Sequence, residues 1–324
     1  MSAPDYPVIA IDGGGSKTLA ALCDMSDPEG SSAGPAVSAG PVNPNDVGEE
    51  EAAGRISSLC GELIRAWRGE HPGYRGGAVI YAGISGATGH SDAIERSVAQ
   101  ALESEAGRVR VAVRTDSFNL FGFLPEDADC AVVIAGTGSV CFLRKNGTLS
   151  RIGGWGYLID GESGSGFRIG SAGLEAALMA ADGRGEKTSL SAAAAAYLGG
   201  PAEAPESTVR IYGGGKPFIA GFAPCVFEAS AAGDAAARRI VRGAARGIAE
   251  LLAAALREAG SEEMPLPTVC SGGLFSEEEF RTAFGEALKE AGVLPRVEVR
   301  IPDTPQLDGA VRVAKRFALK KGKI

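Results

Sequence analysis

Apolar residues along this chain occur in two rhythms. Short, nearly unbroken runs at residues 8–11, 19–22, 78–84, 109–113, 131–135, 140–143, 265–270 and 297–301 read as buried strands. Between them lie longer stretches in which apolar positions return every three or four residues, the spacing of one helix face. Residues 47–67 carry Ile56, Leu59, Leu63 and Trp67 on one stripe, and residues 234–259 carry Val241, Ala244, Ile248, Leu251 and Ala255, with Gly260 as the stop. Further helices are expected near 92–103, 117–124, 167–181, 189–198 and 216–231. Another follows Ser276 and Glu279, spaced as a capping box. A last one, about 305–320, is opened by Thr304 and Pro305 and turns Leu307, Val311 and Ala314 inward. Residues 27–44 are rich in Gly, Ser and Pro and read as loop or edge strand. The pattern as a whole is that of an α/β protein.

One arrangement occurs twice. The run Val8-Ile9-Ala10-Ile11 leads through Asp12-Gly13-Gly14-Gly15-Ser16-Lys17-Thr18 into a second apolar run, and Ala131-Val132-Val133-Ile134-Ala135 leads through Gly136-Thr137-Gly138-Ser139 into another. Gly13 aligns with Gly136, Gly15 with Gly138 and Ser16 with Ser139. Such an internal repeat predicts two similar halves, residues 1–118 and 119–324, with helical insertions in the second and the final helix packing back on the first.

The repeated turn has the composition of an anion cradle. Glycines let the backbone approach closely and aim successive N–H groups at a guest, while Ser16, Lys17 and Thr18 add hydroxyls and a cation. Asp12 would repel a bare phosphate, so its position makes sense with a divalent cation between the two; Mg²⁺ takes one or two carboxylates plus nucleotide oxygens. Sharper motifs do not fit. Ser16 separates Gly15 from Lys17, against a P-loop, and Thr18 stands where a dinucleotide fingerprint needs its third glycine. Alone, the turn fits a plain Gly-rich hairpin equally well; two copies suggest turns offered to opposite sides of one polyphosphate.

Ligands of α/β sheets sit beyond the carboxyl ends of strands, which makes Ser85 and Gly86 candidates after residues 78–84. Asp116, at the end of the next strand, is either an N-cap carboxylate or a base that accepts the proton of a hydroxyl attacking a γ-phosphate. Asn43, between two prolines, either presents a rigid amide or closes an Asx turn. The Gly-dense run 152–167 holds Gly154, Trp155, Gly156, Asp160 and Glu162; an aromatic plate beside acids suits a sugar, although Trp155 can equally plug the loop onto the core. Gly272 and Gly273 form either an ordinary turn or a bare surface for a base or ribose.

Composition narrows the field. At 324 residues there is room for two domains, and a net charge of −8 argues against nucleic acid or an anionic membrane as the main partner. The six cysteines, at 23, 60, 130, 141, 225 and 270, show no C-x-x-C pair and read as buried hydrophobes of a reducing compartment. His71 and His90 have no spacing that suits zinc. The first residues lack a signal peptide and no apolar run approaches membrane-spanning length, so a cytoplasmic protein, a homodimer of this chain, is expected.

Taken in order, Asp12-Gly13-Gly14-Gly15-Ser16-Lys17-Thr18, Thr115-Asp116, Gly136-Thr137-Gly138-Ser139, Gly153-Gly154-Trp155-Gly156-Tyr157-Leu158 and Ser271-Gly272-Gly273 resemble the BadF/BadG/BcrA/BcrD ATPase family, and within it the N-acetylglucosamine and glucosamine kinases. The resemblance implies duplicated ribonuclease-H-like (actin-like ATPase) domains, a central mixed sheet in each, and ATP in a cleft between them. By the same likeness Asp12, Gly13, Gly14, Gly15, Ser16, Lys17, Thr18, Gly136, Thr137 and Gly138 hold phosphates and Mg²⁺, and Gly272 and Gly273 lie near adenosine. Asn43, Ser85, Gly86, Ser139, Gly154, Trp155 and Gly156 line the sugar pocket, and Asp116 is the base. The family's Gly-Asp-Glu-Gly-Ser-Gly segment carries one residue more here, Asp160 to Gly166, which leaves open whether Asp160 or Glu162 faces the sugar. The expected activity is transfer of the γ-phosphate of MgATP to the 6-hydroxyl of an amino sugar. Two rivals remain at this stage: an ATPase that activates a 2-hydroxyacyl-CoA dehydratase or benzoyl-CoA reductase type enzyme through an iron–sulfur cluster, and a non-catalytic sugar sensor.

Overall fold

A computed structural model of the chain describes residues 5–27, 29–260 and 265–320. Strands β1 (Val8–Gly13) and β2 (Thr18–Cys23) form an antiparallel hairpin, and β3 (Ala33–Ala39) pairs with β2 as an edge strand within the Gly/Ser/Pro-rich stretch. Helices α1 (Pro44–Val47) and α2 (Glu49–Glu70) follow, then β4 (Ala78–Ile84), α3 (Ser91–Ala106) and β5 (Val109–Thr115). The sheet runs β3-β2-β1-β4-β5, with β4 parallel to β1 and β5 parallel to β4.

The same plan is then repeated. β6 (Cys130–Ala135), β7 (Ser139–Lys145) and β8 (Thr148–Ile152) form an antiparallel meander. Five helices intervene: α4 (Gly166–Ala181), α5 (Leu190–Leu198), α6 (Pro205–Ala220), α7 (Ala223–Ala231) and α8 (Ala235–Ala259). β9 (Leu266–Ser271), α9 (Glu278–Glu290) and β10 (Val297–Arg300) complete a sheet of order β10-β9-β6-β7-β8, again with the two later strands parallel to the first. The last element among the described residues is α10 (Gln306–Leu319).

The chain divides into two units, one of residues up to 126 with those from 302 onward, the other of residues 127–301. In the first unit the strand alternation feeds two cores. Ile9, Ile11, Ile80 and Ile84 meet Ile56, Leu63, Ile94 and Val98 of α2 and α3, whereas Val8, Ala10, Val79 and Tyr81 meet Ala310, Val311, Ala314 and Phe317 of α10. The return of the last helix is thus a matter of covering the second face of a sheet that is apolar on both. In the second unit Ala131, Val133 and Ala135 pack with Ile169, Phe222, Val241, Ile248 and Leu252.

Several local expectations change. The 117–124 segment is a 3₁₀ turn, Asp116–Phe123, rather than an α-helix. Gly122 within it touches the backbone of Gly309 on α10, where any Cβ would overlap. That contact keeps the turn with the first unit, so the division falls past residue 126 rather than at 118. β8 and α6 have no counterpart in the apolar pattern: β8 is mostly exposed, and α6 buries only Ser207. The helix read over 216–231 is split, since residues 216–220 belong to α6, beyond its kink at Gly215, and α7 starts at Ala223. No capping box forms at Ser276; α9 begins at Glu278, and the Glu279 carboxylate instead accepts from Ser230 Oγ.

The hairpin alignment also shifts. The first ladder closes at Gly13–Thr18 and the second at Ala135–Ser139, so the turns hold four and three residues respectively. Ser139 therefore corresponds to Thr18, not to Ser16.

Asp234 illustrates how the longest helix is fixed. Its carboxylate accepts from Ala237 N–H (3.0 Å), Thr188 Oγ1 (2.8 Å), Ser189 N–H (2.7 Å) and Ser189 Oγ (2.9 Å). Against a partial burial that would raise it, these bonds hold its pKa down at about 2. Asp234→Ala is expected to destabilise the protein by about 1–2 kcal/mol in urea denaturation at neutral pH. Because the folded-state pKa lies below the ordinary value of 3.8, the contribution is complete above that value and fades as pH falls toward about 2, where variant and wild type should converge.

Candidate active site

In the first unit three parallel strands end level. Gly13 pairs with Ile84 and Ile84 with Thr115, so the residues that follow, Gly14, Ser85-Gly86 and Asp116, emerge along one edge of the sheet. The turn is closed by Gly14 N–H donating to Lys17 O (3.0 Å), leaving Gly15, Ser16 and Lys17 exposed. Gly13 itself has no room for a side chain, as a Cβ would stand 2.7 Å from Ile84 Cγ2. Thr18 is fully buried and donates to Gly40 O (2.8 Å), so its hydroxyl braces the loop before α1.

Asp12 and Asp116 are neighbours, and their carboxylates are perturbed in the same sense. Burial pushes Asp12 up to about 6, aided by the charge of Asp116 and opposed by a hydrogen bond from Asn119. Asp116 is also raised by burial, against the bond its Oδ1 accepts from Ser117 N–H (2.9 Å). It does not cap the 3₁₀ turn; that position belongs to Thr115. Two half-buried carboxylates with raised pKa values at the strand ends form a site short of positive charge, which suits a divalent cation.

Asn119 was not legible as a site residue, yet it organises this pair. Its Nδ2 donates to Asp12 Oδ1 (2.8 Å) and its Oδ1 accepts from the buried Tyr81 hydroxyl (3.0 Å). Gly83 lacks the Cβ that would collide with this amide. The available signal was the spacing Asp116-x-x-Asn119, which in a 3₁₀ turn places both side chains on one side.

Asn43 is the N-cap of α1: its Oδ1 accepts from Asn45 N–H (3.1 Å) and its Nδ2 donates to Asp46 Oδ2 (2.7 Å). It stands over Gly86, whose positive φ of 75° and missing Cβ leave space for it. Ser85 N–H donates to Gly13 O (2.8 Å), while Ser85 Oγ is buried and meets no hydrogen-bond partner among the described residues. A buried hydroxyl left unsatisfied at a strand end is what a missing polar ligand would leave behind.

The second unit brings together Gly136, Thr137 and Gly273, which line a cavity of about 530 Å³ with Pro217, Phe227 and Leu274. Glycine backbone on one side and apolar side chains on the other suit a phosphate-bearing ring. The turn is pinned from beneath by α4, whose first N–H groups donate from Gly166 to Gly136 O (2.7 Å) and from Phe167 to Thr137 O (3.1 Å). Gly138 abuts Glu162 and Lys216. Gly272, at φ 111°, lies on the backbone of Ala135, where a Cβ would overlap its carbonyl. Ser139 is buried and donates to Ser163 O (2.7 Å).

The Gly-dense loop is ordered by its own acids. Asp160 accepts from Trp155 N–H (2.9 Å) and Glu162 N–H (3.0 Å); although burial acts the other way, these bonds lower its pKa. Glu162 turns inward and pairs with Lys216 at 2.5 Å. Gly154 packs on β7 at φ 70°, and Gly156 sits at φ 104° with open space around it. Trp155 does not plug the core: it is 58% exposed and stacks with the Arg151 guanidinium at 5.0 Å.

Cys130 and Cys141, which flank the second hairpin where an iron–sulfur cluster would need thiolates, lie buried in β6 and β7, and burial pushes the Cys141 thiol up to about 12. A thiol so held is a poor source of the thiolate that iron–sulfur clusters require.

Two mixed sheets of one strand plan, each with a glycine-rich hairpin at its first turn, define the duplicated ribonuclease-H-like class of actin-like ATPases. Two solved structures share this fold. A candidate N-acetylglucosamine kinase from Chromobacterium violaceum is 23% identical with a TM-score of 0.64, over 96% of this chain and 100% of that one. The ROK hexokinase from Thermus thermophilus is 16% identical with a TM-score of 0.56, over 97% and 100%. The model of the BadF/BadG/BcrA/BcrD ATPase family matches residues 9–311, and the chain belongs to that family. A curated relative, the N-acetylmuramic acid/N-acetylglucosamine kinase of Clostridium acetobutylicum, is 30% identical over 285 residues, 85% of this chain and 89% of the relative.

Proposed function

We propose that this protein is an ATP-dependent sugar kinase that transfers the γ-phosphoryl group to the 6-hydroxyl of an amino sugar, N-acetylglucosamine or glucosamine. The observation that carries the reading is the row of Asp12, Ser85 and Asp116 along one sheet edge, with paired acids held at raised pKa and a buried hydroxyl awaiting a partner. The Clostridium relative, named for kinase activity on N-acetylated sugars, supports the substrate class.

In this reading Asp116 accepts the proton of the 6-hydroxyl as its oxygen bonds to the γ-phosphorus, while the bond from that phosphorus to the bridging oxygen breaks and ADP departs. Asn119 keeps Asp12 oriented, and Asp12 holds Mg²⁺. When bound, the ion neutralises phosphate charge. Because such transfers pass through a loose in-line transition state, positioning and charge neutralisation are the main tasks left to the chain. Within the first unit the backbone of Gly13–Gly15 is a phosphate cradle with Ser85 and Asn43 as sugar contacts; within the second, the backbone of Gly136–Gly138 is a phosphate cradle and the Trp155 loop a sugar contact.

ADP release should be measured with glucosamine, N-acetylglucosamine, N-acetylmuramate and glucose as acceptors. Turnover with at least one amino sugar, absent with its 6-deoxy form, is the expected result. ATP hydrolysis indifferent to every sugar would overturn the proposal.

A further inference from the structure

Lys216 occupies a break in a helix. Gly213, Gly214 and Gly215 precede it and Pro217 follows, and Gly215 leaves helical geometry at φ 59°, ψ −156°. The side chain is not released to solvent by this break. Its ammonium lies 2.5 Å from Glu162 Oε2, and Glu162, only 7% exposed, holds a φ of 44° that is uncommon for any residue but glycine. A left-handed backbone at Glu162 and a helix kink at Gly215, the residue before Lys216, indicate that the surroundings impose this meeting, and strained conformations gather at functional positions.

The meeting point is the tip of the second cradle. A Cβ placed on Gly138 would stand 2.8 Å from Glu162 Oε2 and 3.0 Å from Lys216 Nζ. Gly136 and Thr137 of the same turn line the cavity whose wall continues through Pro217, the residue after Lys216. The ammonium is also 5.7 Å from the centre of the Tyr157 ring, and the side chain keeps 25% of its surface exposed, so it is braced but reachable.

We propose that Lys216 is a nucleotide-phosphate contact of the second cradle, held in position by Glu162 in the free protein and taken over by a phosphate oxygen when nucleotide enters. This rests on the reading that Gly136–Gly138 hold nucleotide phosphates. A lysine suits the exchange because its three donors are not committed to one planar partner, as an arginine fork would be. The ion pair holds the ammonium beside the turn, and the glycines before it supply the backbone freedom to shift. Glu162, as the resident anion, competes with the phosphate.

The test is equilibrium titration of ADP and of adenosine into wild type, Lys216→Met, Lys216→Arg and Glu162→Gln. ADP affinity should fall about tenfold or more in Lys216→Met, the scale of a lost charge-assisted contact, while adenosine affinity stays within about twofold. Lys216→Arg should retain most of the ADP affinity, and Glu162→Gln should bind ADP at least as tightly as wild type. Equal ADP affinity in Lys216→Met and wild type overturns the inference, as does parallel loss of ADP and adenosine. Should Lys216→Met fail to fold, Glu162→Gln decides: a clear loss of ADP affinity there makes the pair a structural clamp and nothing more. Wild type that binds neither ligand would instead overturn the kinase reading itself.

Discussion

Asp116→Asn is expected to lower kcat by at least about a hundredfold, the lower end for a lost general base, with the Kd for ADP unchanged within about twofold. Asparagine preserves the shape and can still accept the Ser117 N–H bond that Asp116 accepts now, so the local turn should survive. What disappears is the capacity to take a proton from an attacking hydroxyl. The raised pKa of Asp116 makes it a better proton acceptor than an ordinary surface aspartate, at the expense of ionisation on the acid side. Stopped-time assays of sugar phosphate formation, together with ADP titration, separate the two roles: a parallel fall in nucleotide affinity would reduce Asp116 to a scaffold residue.

Asp12→Asn should be comparably severe for turnover, about a hundredfold or more, since a metal clamp contributes several kcal/mol of charge stabilisation in such reactions. Its effect on stability should be opposite. The folded-state pKa of Asp12, about 6, lies above the ordinary 3.8, so the metal-free native state binds the proton more tightly than the unfolded chain. Wild-type stability therefore declines as pH rises from about 4 through 6 and stays lower above that. Asp12→Asn removes this penalty and should melt at or above the wild-type temperature at pH 7.5 without Mg²⁺. Adding Mg²⁺ should raise the wild-type melting temperature and leave the variant unmoved. A variant that loses activity, melts lower and still responds to Mg²⁺ would place the ion elsewhere.

Sequence patterning revealed the buried strands, though not the exposed β8, because each buried strand advertises itself within a handful of neighbours. The two hairpins, the α/β class and the candidacy of Asp12, Ser85 and Asp116 rest on such local signals, whereas the ribonuclease-H-like class came with the family resemblance. What stayed hidden depends on distant partners. The link from Asn119 to Asp12 spans 107 positions, and the Tyr81 hydroxyl that fixes the amide lies on a strand whose composition says only that it is buried. Lys216 read as the start of an ordinary helix because three glycines and a proline around a lysine do not disclose that a carboxylate from the Gly-dense loop waits beside it. The register of the turns was likewise beyond reach: glycine spacing aligned Ser16 with Ser139, whereas ladder pairing aligns Thr18 with Ser139, and both of those hydroxyls serve as internal braces.

The last helix has a bearing on how the protein is made. The face of the first sheet formed by Val8, Ala10, Val79 and Tyr81 is covered by Ala310, Val311, Ala314 and Phe317, a segment translated only after the whole second unit. The unit begun before the other is therefore completed after it, and its oily side stays bare throughout translation of the intervening 175 residues, 127–301. A premature stop before α10 would spare every residue of the proposed catalytic row and still leave that row on a sheet with one face uncovered.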